Sequence, residues 1–143
     1  MLVFGIGEVL GSFFIGQIID SQGSKLVSLI NVVLIVVTAF VTLAFLGINQ
    51  FNLLAFVMTL LWGFSDATVN THCFELCGFE FDTNTEPYSL FNLAQAMGVF
   101  VFTLIESVID TRVKYIVYTS FIGLIGVWAC GLTYFFEFRN QKS

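Results

Sequence analysis

Five apolar runs, each closed by a short polar turn, decide most of what this 143-residue chain can fold into. The hydrocarbon core of a bilayer is about 30 Å thick, and a helix rising about 1.5 Å per residue crosses it with roughly 20 apolar residues. The expected spans are 1–19, 26–46, 51–79, 86–109 and 115–138. Composition agrees, with 57% hydrophobic and only 10% charged residues, where a soluble domain carries about 25% charged. Eighteen Phe, one Pro and a mean hydropathy of +0.93 exclude a disordered tail, a collagen-like repeat and a disulfide-rich secreted module. A formal net charge of -5 without a basic cluster leaves nothing to neutralise phosphates, so nucleic acid is not a partner. The expectation is one all-α domain, a polytopic transmembrane helix bundle, integral in a lipid bilayer.

The turns carry their own signals. Asp20-Ser21-Gln22-Gly23-Ser24-Lys25 reads as a compact polar turn with Gly at a left-handed position. Gly47-Ile48-Asn49-Gln50 is short enough to make the flanking helices antiparallel neighbours. Thr85-Glu86-Pro87 reads as a helix start, with Thr85 as N-cap, an acid near the positive dipole end and Pro in the first turn. Asp110 to Lys114 forms a charged turn, and Tyr88, Tyr115, Tyr118 and Tyr134 lie near span ends, where amphipathic rings settle at headgroup level. Met1-Leu2-Val3-Phe4 has no basic region before it, so the first run reads as a span rather than a signal peptide. Lys25, Arg139 and Lys142 fall on one side against Arg112 and Lys114 on the other, a slight bias toward a cytoplasmic tail.

Polar residues inside the spans are the functional candidates, because a carboxylate there costs roughly 2.5 to 3.5 kcal/mol on insertion. Glu8, Asp66, Glu75 and Glu106 qualify. Asp66 and Asn70, four apart, share a helix face with Cys73 and Cys77 and must look into a bundle or a wet cavity. One reading is a proton or cation relay or a substrate contact, and the other is interhelical hydrogen bonding. His72 and Glu75, three apart on an adjacent stripe, read as a pH-sensing pair and count among the cavity and transport candidates. Ser89, Asn92 and Gln95 crowd one side of the fourth span as cavity lining or helix glue, while Glu106 with Asp110 reads as a hydrated helix end. Gly7 and Gly11 give the G-x-x-x-G spacing that lets backbones approach, repeated by Ser12 and Gly16.

His72, Cys73, Glu75 and Cys77 diverge around a helix and lack a remote ligand, so no metal site is expected. Three Cys pack as small apolar side chains rather than as a disulfide framework. Without a phosphate loop or a Ser-His-Asp arrangement, neither an enzyme nor a cofactor is expected.

The stretch Gly16-Gln17-Ile18-Ile19-Asp20-Ser21-Gln22-Gly23-Ser24-Lys25 resembles the signature loop of the major facilitator superfamily, G-x-x-x-D-x-x-G-x-[RK]. In that family the loop is cytoplasmic and gates the outward-facing state, which implies gating roles for Gly16, Asp20, Gly23 and Lys25. Ser21 departs from the pattern, standing where a basic residue commonly follows the acid. Leu61-Trp62-Gly63-Phe64-Ser65-Asp66-Ala67-Thr68-Val69-Asn70-Thr71 and Tyr88-Ser89-Leu90-Phe91-Asn92-Leu93-Ala94-Gln95-Ala96-Met97-Gly98 resemble the UNC-93-like family of that superfamily.

The resemblance implies that the five spans match the second to sixth helices of a C-terminal half, a partial major-facilitator C-terminal half without the N-terminal half. It implies ion-channel regulation, partner trafficking or solute transport, with Asp66, Asn70, Asn92 and Gln95 lining the central cavity. Alternating access needs two halves, so the chain is expected either to be a piece of a longer protein or to serve as a structural accessory subunit of a larger membrane complex. The missing helices would come from further sequence or from partner membrane proteins.

Overall fold

Apolar runs without internal turn residues have one way to satisfy their backbone away from water, and they take it. The computed structural model describes residues 1–48, 50–83 and 85–135. These form α1 (Leu2–Gln22), α2 (Ser24–Ile48), α3 (Leu53–Phe79), α4 (Thr85–Ser107) and α5 (Arg112–Tyr134), with no strand among the described residues. All five helices are long and apolar enough to cross a membrane. The protein is an all-α helical bundle.

The first turn is tighter than the sequence predicts. α1 runs through Gln22 and α2 begins at Ser24, leaving Gly23 alone between them at φ 82°. Its N–H donates to the Ile19 carbonyl at 3.1 Å, and one left-handed residue reverses the chain. Asp20 therefore lies in the last turn of α1 rather than at a helix N-terminus, while Lys25 occupies the first turn of α2.

Thr85 is likewise the first residue of α4 and not its cap, and Ser89 Oγ donates to its carbonyl at 2.8 Å. Asn52 caps α3, its Oδ1 accepting from the Leu54 N–H at 3.0 Å. Asn49, Asn84, the predicted end of the fifth span at 136–138 and the tail cations Arg139 and Lys142 lie outside the described residues.

α3 is the hub. α1 packs along it, α2 packs on another of its sides and on α5, and α4 meets it least. Although a single residue joins them, α1 and α2 have little contact. The α1–α3 seam is built from glycine. A Cβ on Gly7 would overlap the Leu60 carbonyl, one on Gly11 would lie 2.6 Å from the Phe64 carbonyl, and one on Gly63 would overlap the Phe4 carbonyl. Gly7 lies against Leu60 and Phe64 and Gly11 against Phe64 and Ala67, so α1 and α3 run in the same direction. Gly16 has open space where a Cβ would be and takes no part in this approach.

α5 approaches α2 in the opposite direction. A Cβ on Gly123 would meet Ala39, and one on Gly126 would meet Ile35, each at 3.2 Å. Arg112 at the start of α5 donates to the Gly47 carbonyl in the last turn of α2, where a cation also meets the negative dipole end.

The interior inverts the soluble pattern. Buried side chains include Ser24, Ser28, Asn31, Thr38, Ser65, Thr68, His72 and Glu75, whereas Phe13, Phe40, Leu93, Phe100, Val117, Leu124 and Trp128 are exposed. A surface of this kind suits hydrocarbon, where packing and hydrogen bonds rather than water exclusion join helices.

Candidate functional site

On the side of α3 toward α4, Asn70 Nδ2 donates to Asp66 Oδ2 at 3.1 Å, and Gln95 Nε2 of α4 donates to Asn70 Oδ1 at 3.1 Å. The i,i+4 spacing brings the first two together on one helix, and α4 supplies the third. Asp66 and Gln95 are exposed at this face. Glu8 of α1 is near enough to act electrostatically on Asp66. The result is a line of two amides ending in the Asp66 carboxylate, halfway along the helices and within electrostatic reach of Glu8.

Asp66 also borders a cavity of about 180 Å³ between α2, α3 and α5, whose other polar groups are the hydroxyls of Thr38, Ser65 and Thr119. Asn92, read with this group, is exposed on α4 and makes no hydrogen bond among the described residues. Tyr88 and Phe91 fix that end of α4 instead, their rings 5.7 Å and 5.3 Å from the Phe74 ring, with the Tyr88 hydroxyl donating to the Phe74 carbonyl at 3.1 Å.

His72 and Glu75 do not join the Asp66 line. Both are buried against α2, with His72 Nε2 3.9 Å from Glu75 Oε2. Ser24 Oγ donates to Glu75 Oε1, and Asn31 Nδ2 lies 3.4 Å from His72 Nδ1. Farther along the same seam Thr38 and Ser65 share a hydroxyl hydrogen bond of 2.9 Å, and Trp62 Nε1 donates to Thr42 Oγ1 at 3.0 Å. Antiparallel α2 and α3 are thus laced at four levels.

The α2 half of this ladder is absent from the reading of charged residues alone. Ser24, Ser28, Asn31, Thr38 and Thr42 are uncharged, but their spacing of four, three, seven and four is the signal: it is the repeat of a helix seam inside an otherwise apolar span.

Gly7 and Gly11 sit in the α1–α3 contact. Gly16, Asp20, Gly23 and Lys25 are collected around the first turn, but only Gly23 has a conformational role there. Among the described residues no group of three or more His, Cys, Asp or Glu is arranged to hold a metal ion, and Cys73, Cys77 and Cys130 are free thiols. Glu106, exposed in the last turn of α4, borders a second cavity with Trp62, Tyr115 and Tyr118. Asp110 is exposed as well and pairs with Lys114 at 2.6 Å.

No family model, curated protein or solved structure matches the chain.

Proposed function

We propose that this chain forms part of a UNC-93-like, major-facilitator-type multi-pass membrane protein, acting in solute transport or in the regulation and trafficking of a channel partner. Asp66, Asn70 and Gln95 line its central cavity, and no catalysis is assigned to it. The observation that carries the reading is the hydrogen-bonded line Asp66–Asn70–Gln95, exposed midway along apolar helices with Glu8 beside it. Hydrocarbon does not tolerate such a face, so it must meet water, a solute or further helices. The first loop and the Trp62-to-Asn70 stretch support the same reading through their resemblance.

Asp66→Asn in the complete protein, expressed in cells, tests it. Asn retains an acceptor for Asn70 and removes only the charge. Solute uptake, or the surface level of the partner channel, is expected to fall about tenfold or more, the loss of one charged contact of about 1.4 kcal/mol or above. Unchanged function in both assays removes the carboxylate from the mechanism.

A second reading is supported by α4, which has no buried residue and touches α3 lightly. In it the chain is a structural accessory subunit whose α4 is covered by other proteins of a membrane complex. Intact mass after mild detergent extraction separates the two. A complex with stoichiometric partner chains favours the subunit, whereas stable, monodisperse behaviour without partners counts against it.

A further inference from the structure

Where α2 and α4 end and α5 begins, the bundle forms a half-open cavity of about 380 Å³ that the proposed function leaves unused. Its volume lies in the range of about 300 to 1,000 Å³ typical of small-ligand sites. Four aromatic rings border it, Phe45 from α2, Trp62 from α3, and Tyr115 and Tyr118 from α5, together with the Glu106 carboxylate of α4.

Two of the rings are held in place. Trp62 Nε1 donates to Thr42 Oγ1 at 3.0 Å, and the Tyr118 hydroxyl donates to the Phe102 carbonyl at 3.1 Å. Glu106 and Tyr115 both act electrostatically on Tyr118, which puts the carboxylate and the two phenols in one neighbourhood.

The nearby cations are committed elsewhere. Arg112 donates to the Gly47 carbonyl, and Lys114 pairs with Asp110 at 2.6 Å. Glu106 has no cationic partner among the described residues. The cavity therefore combines ring faces, which attract positive charge, with one carboxylate not neutralised by the chain.

Among cations, the rings select by hydration and by hydrogen-bonding demand. A primary ammonium needs three acceptors in place of its water, and aromatic walls offer few. A quaternary ammonium has no N–H to satisfy, and its methyl groups pack on rings while its charge faces the carboxylate. Phe45 in the last turn of α2 and Tyr115 in the first turn of α5 place the cavity at the end of the bundle, the level of lipid headgroups in a bilayer.

We propose that this cavity binds a quaternary ammonium group of the choline type, with Glu106 opposite its charge and the rings of Trp62, Tyr115 and Tyr118 around its methyl groups. The same chemistry is offered by a choline lipid headgroup and by a free trimethylammonium compound.

The test uses the whole protein in phosphatidylglycerol nanodiscs, which contain no choline. Choline, dihexanoyl-phosphatidylcholine and 3,3-dimethylbutanol, the uncharged isostere of choline, are titrated by calorimetry. Choline is expected to bind roughly tenfold or more tightly than the isostere, and Glu106→Gln and Trp62→Leu to weaken choline roughly tenfold each. Trp62→Phe, which keeps a ring, is expected to retain most of the affinity.

Tighter binding of dihexanoyl-phosphatidylcholine than of choline assigns the site to lipid, and equal binding assigns it to a free cation; both support the proposal. Choline and isostere binding alike, no choline binding, or unaltered affinity in Glu106→Gln would overturn it. If Trp62→Leu does not fold, exposed Glu106→Gln still carries the test. None of these outcomes bears on Asp66.

Discussion

A hydroxyl buried between two helices in hydrocarbon has no water to fall back on, so Ser24, Asn31, Thr38 and Thr42 depend on their partners on α3, while Ser28 donates to the Ser24 carbonyl of its own helix. Thr38 and Ser65 are the simplest case, two fully or nearly buried hydroxyls bonded at 2.9 Å. Thr38→Val keeps the shape and removes one partner. Because Ser65 can turn its hydroxyl to the helix backbone, the expected loss is about 0.6 to 1.5 kcal/mol rather than a full desolvation penalty. Unfolding in mixed detergent micelles measures it, and the double variant Thr38→Val with Ser65→Ala is expected to cost less than the sum of the two. Strict additivity would mean the pair is not coupled. Asp66 and Asn70 were readable in advance because their spacing alone joins them. Gln95 was readable only as a member of a polar side. The partners of His72 and Glu75 were not, since Asn31 and Ser24 sit on the preceding helix and nothing local says which side of α2 turns toward α3.

At the scale of elements, small residues decide which helices touch. Five long spans and their approximate ends follow from apolar run length, which is a local property. The pairing of α1 with α3 rather than with its chain neighbour α2 is not local, and G-x-x-x-G names a sticky face without naming its partner. Gly7 and Gly16 look equivalent in the sequence, yet one abuts the Leu60 carbonyl and the other faces open space. Gly7→Ala must push two backbones apart and is expected to cost about 1 to 3 kcal/mol. Gly16→Ala is expected to stabilise by up to about 1 kcal/mol, since a helix-interior Gly without a close neighbour gives only entropy loss. Thermal unfolding of the purified protein in one detergent distinguishes them, and equal effects would disprove the assigned α1–α3 contact. Gly23→Ala carries a different penalty, about 1 to 3 kcal/mol, because a side chain would be forced to φ 82° and ψ 170°, a region open essentially to Gly alone.

For the whole molecule, the uneven cover of α4 is the feature with consequences. Its side toward Gln95 carries Asn92, and its other side carries Leu93 and Phe100, with no residue of the helix buried. By the helical repeat of about 3.6 residues, Leu93 and Phe100 point away from Gln95, while Asn92 lies on its flank. Single cysteines at 92, 93 and 100, in a background where Cys73, Cys77 and Cys130 are replaced by Ala, convert this geometry into rates. A maleimide reacts with the thiolate, which forms in water and not in hydrocarbon. If the Asp66 line borders a wet cavity, Asn92→Cys in native membranes is labelled by a membrane-impermeant maleimide at least about tenfold faster than Leu93→Cys or Phe100→Cys, as expected from the thiolate's dependence on solvation. If α4 is instead a docking surface for other subunits, Asn92→Cys is protected in native membranes and becomes reactive only after detergent separates the partners. Fast labelling at all three positions would mean that α4 does not stand in hydrocarbon at all, and the transmembrane placement of this helix would fall with it.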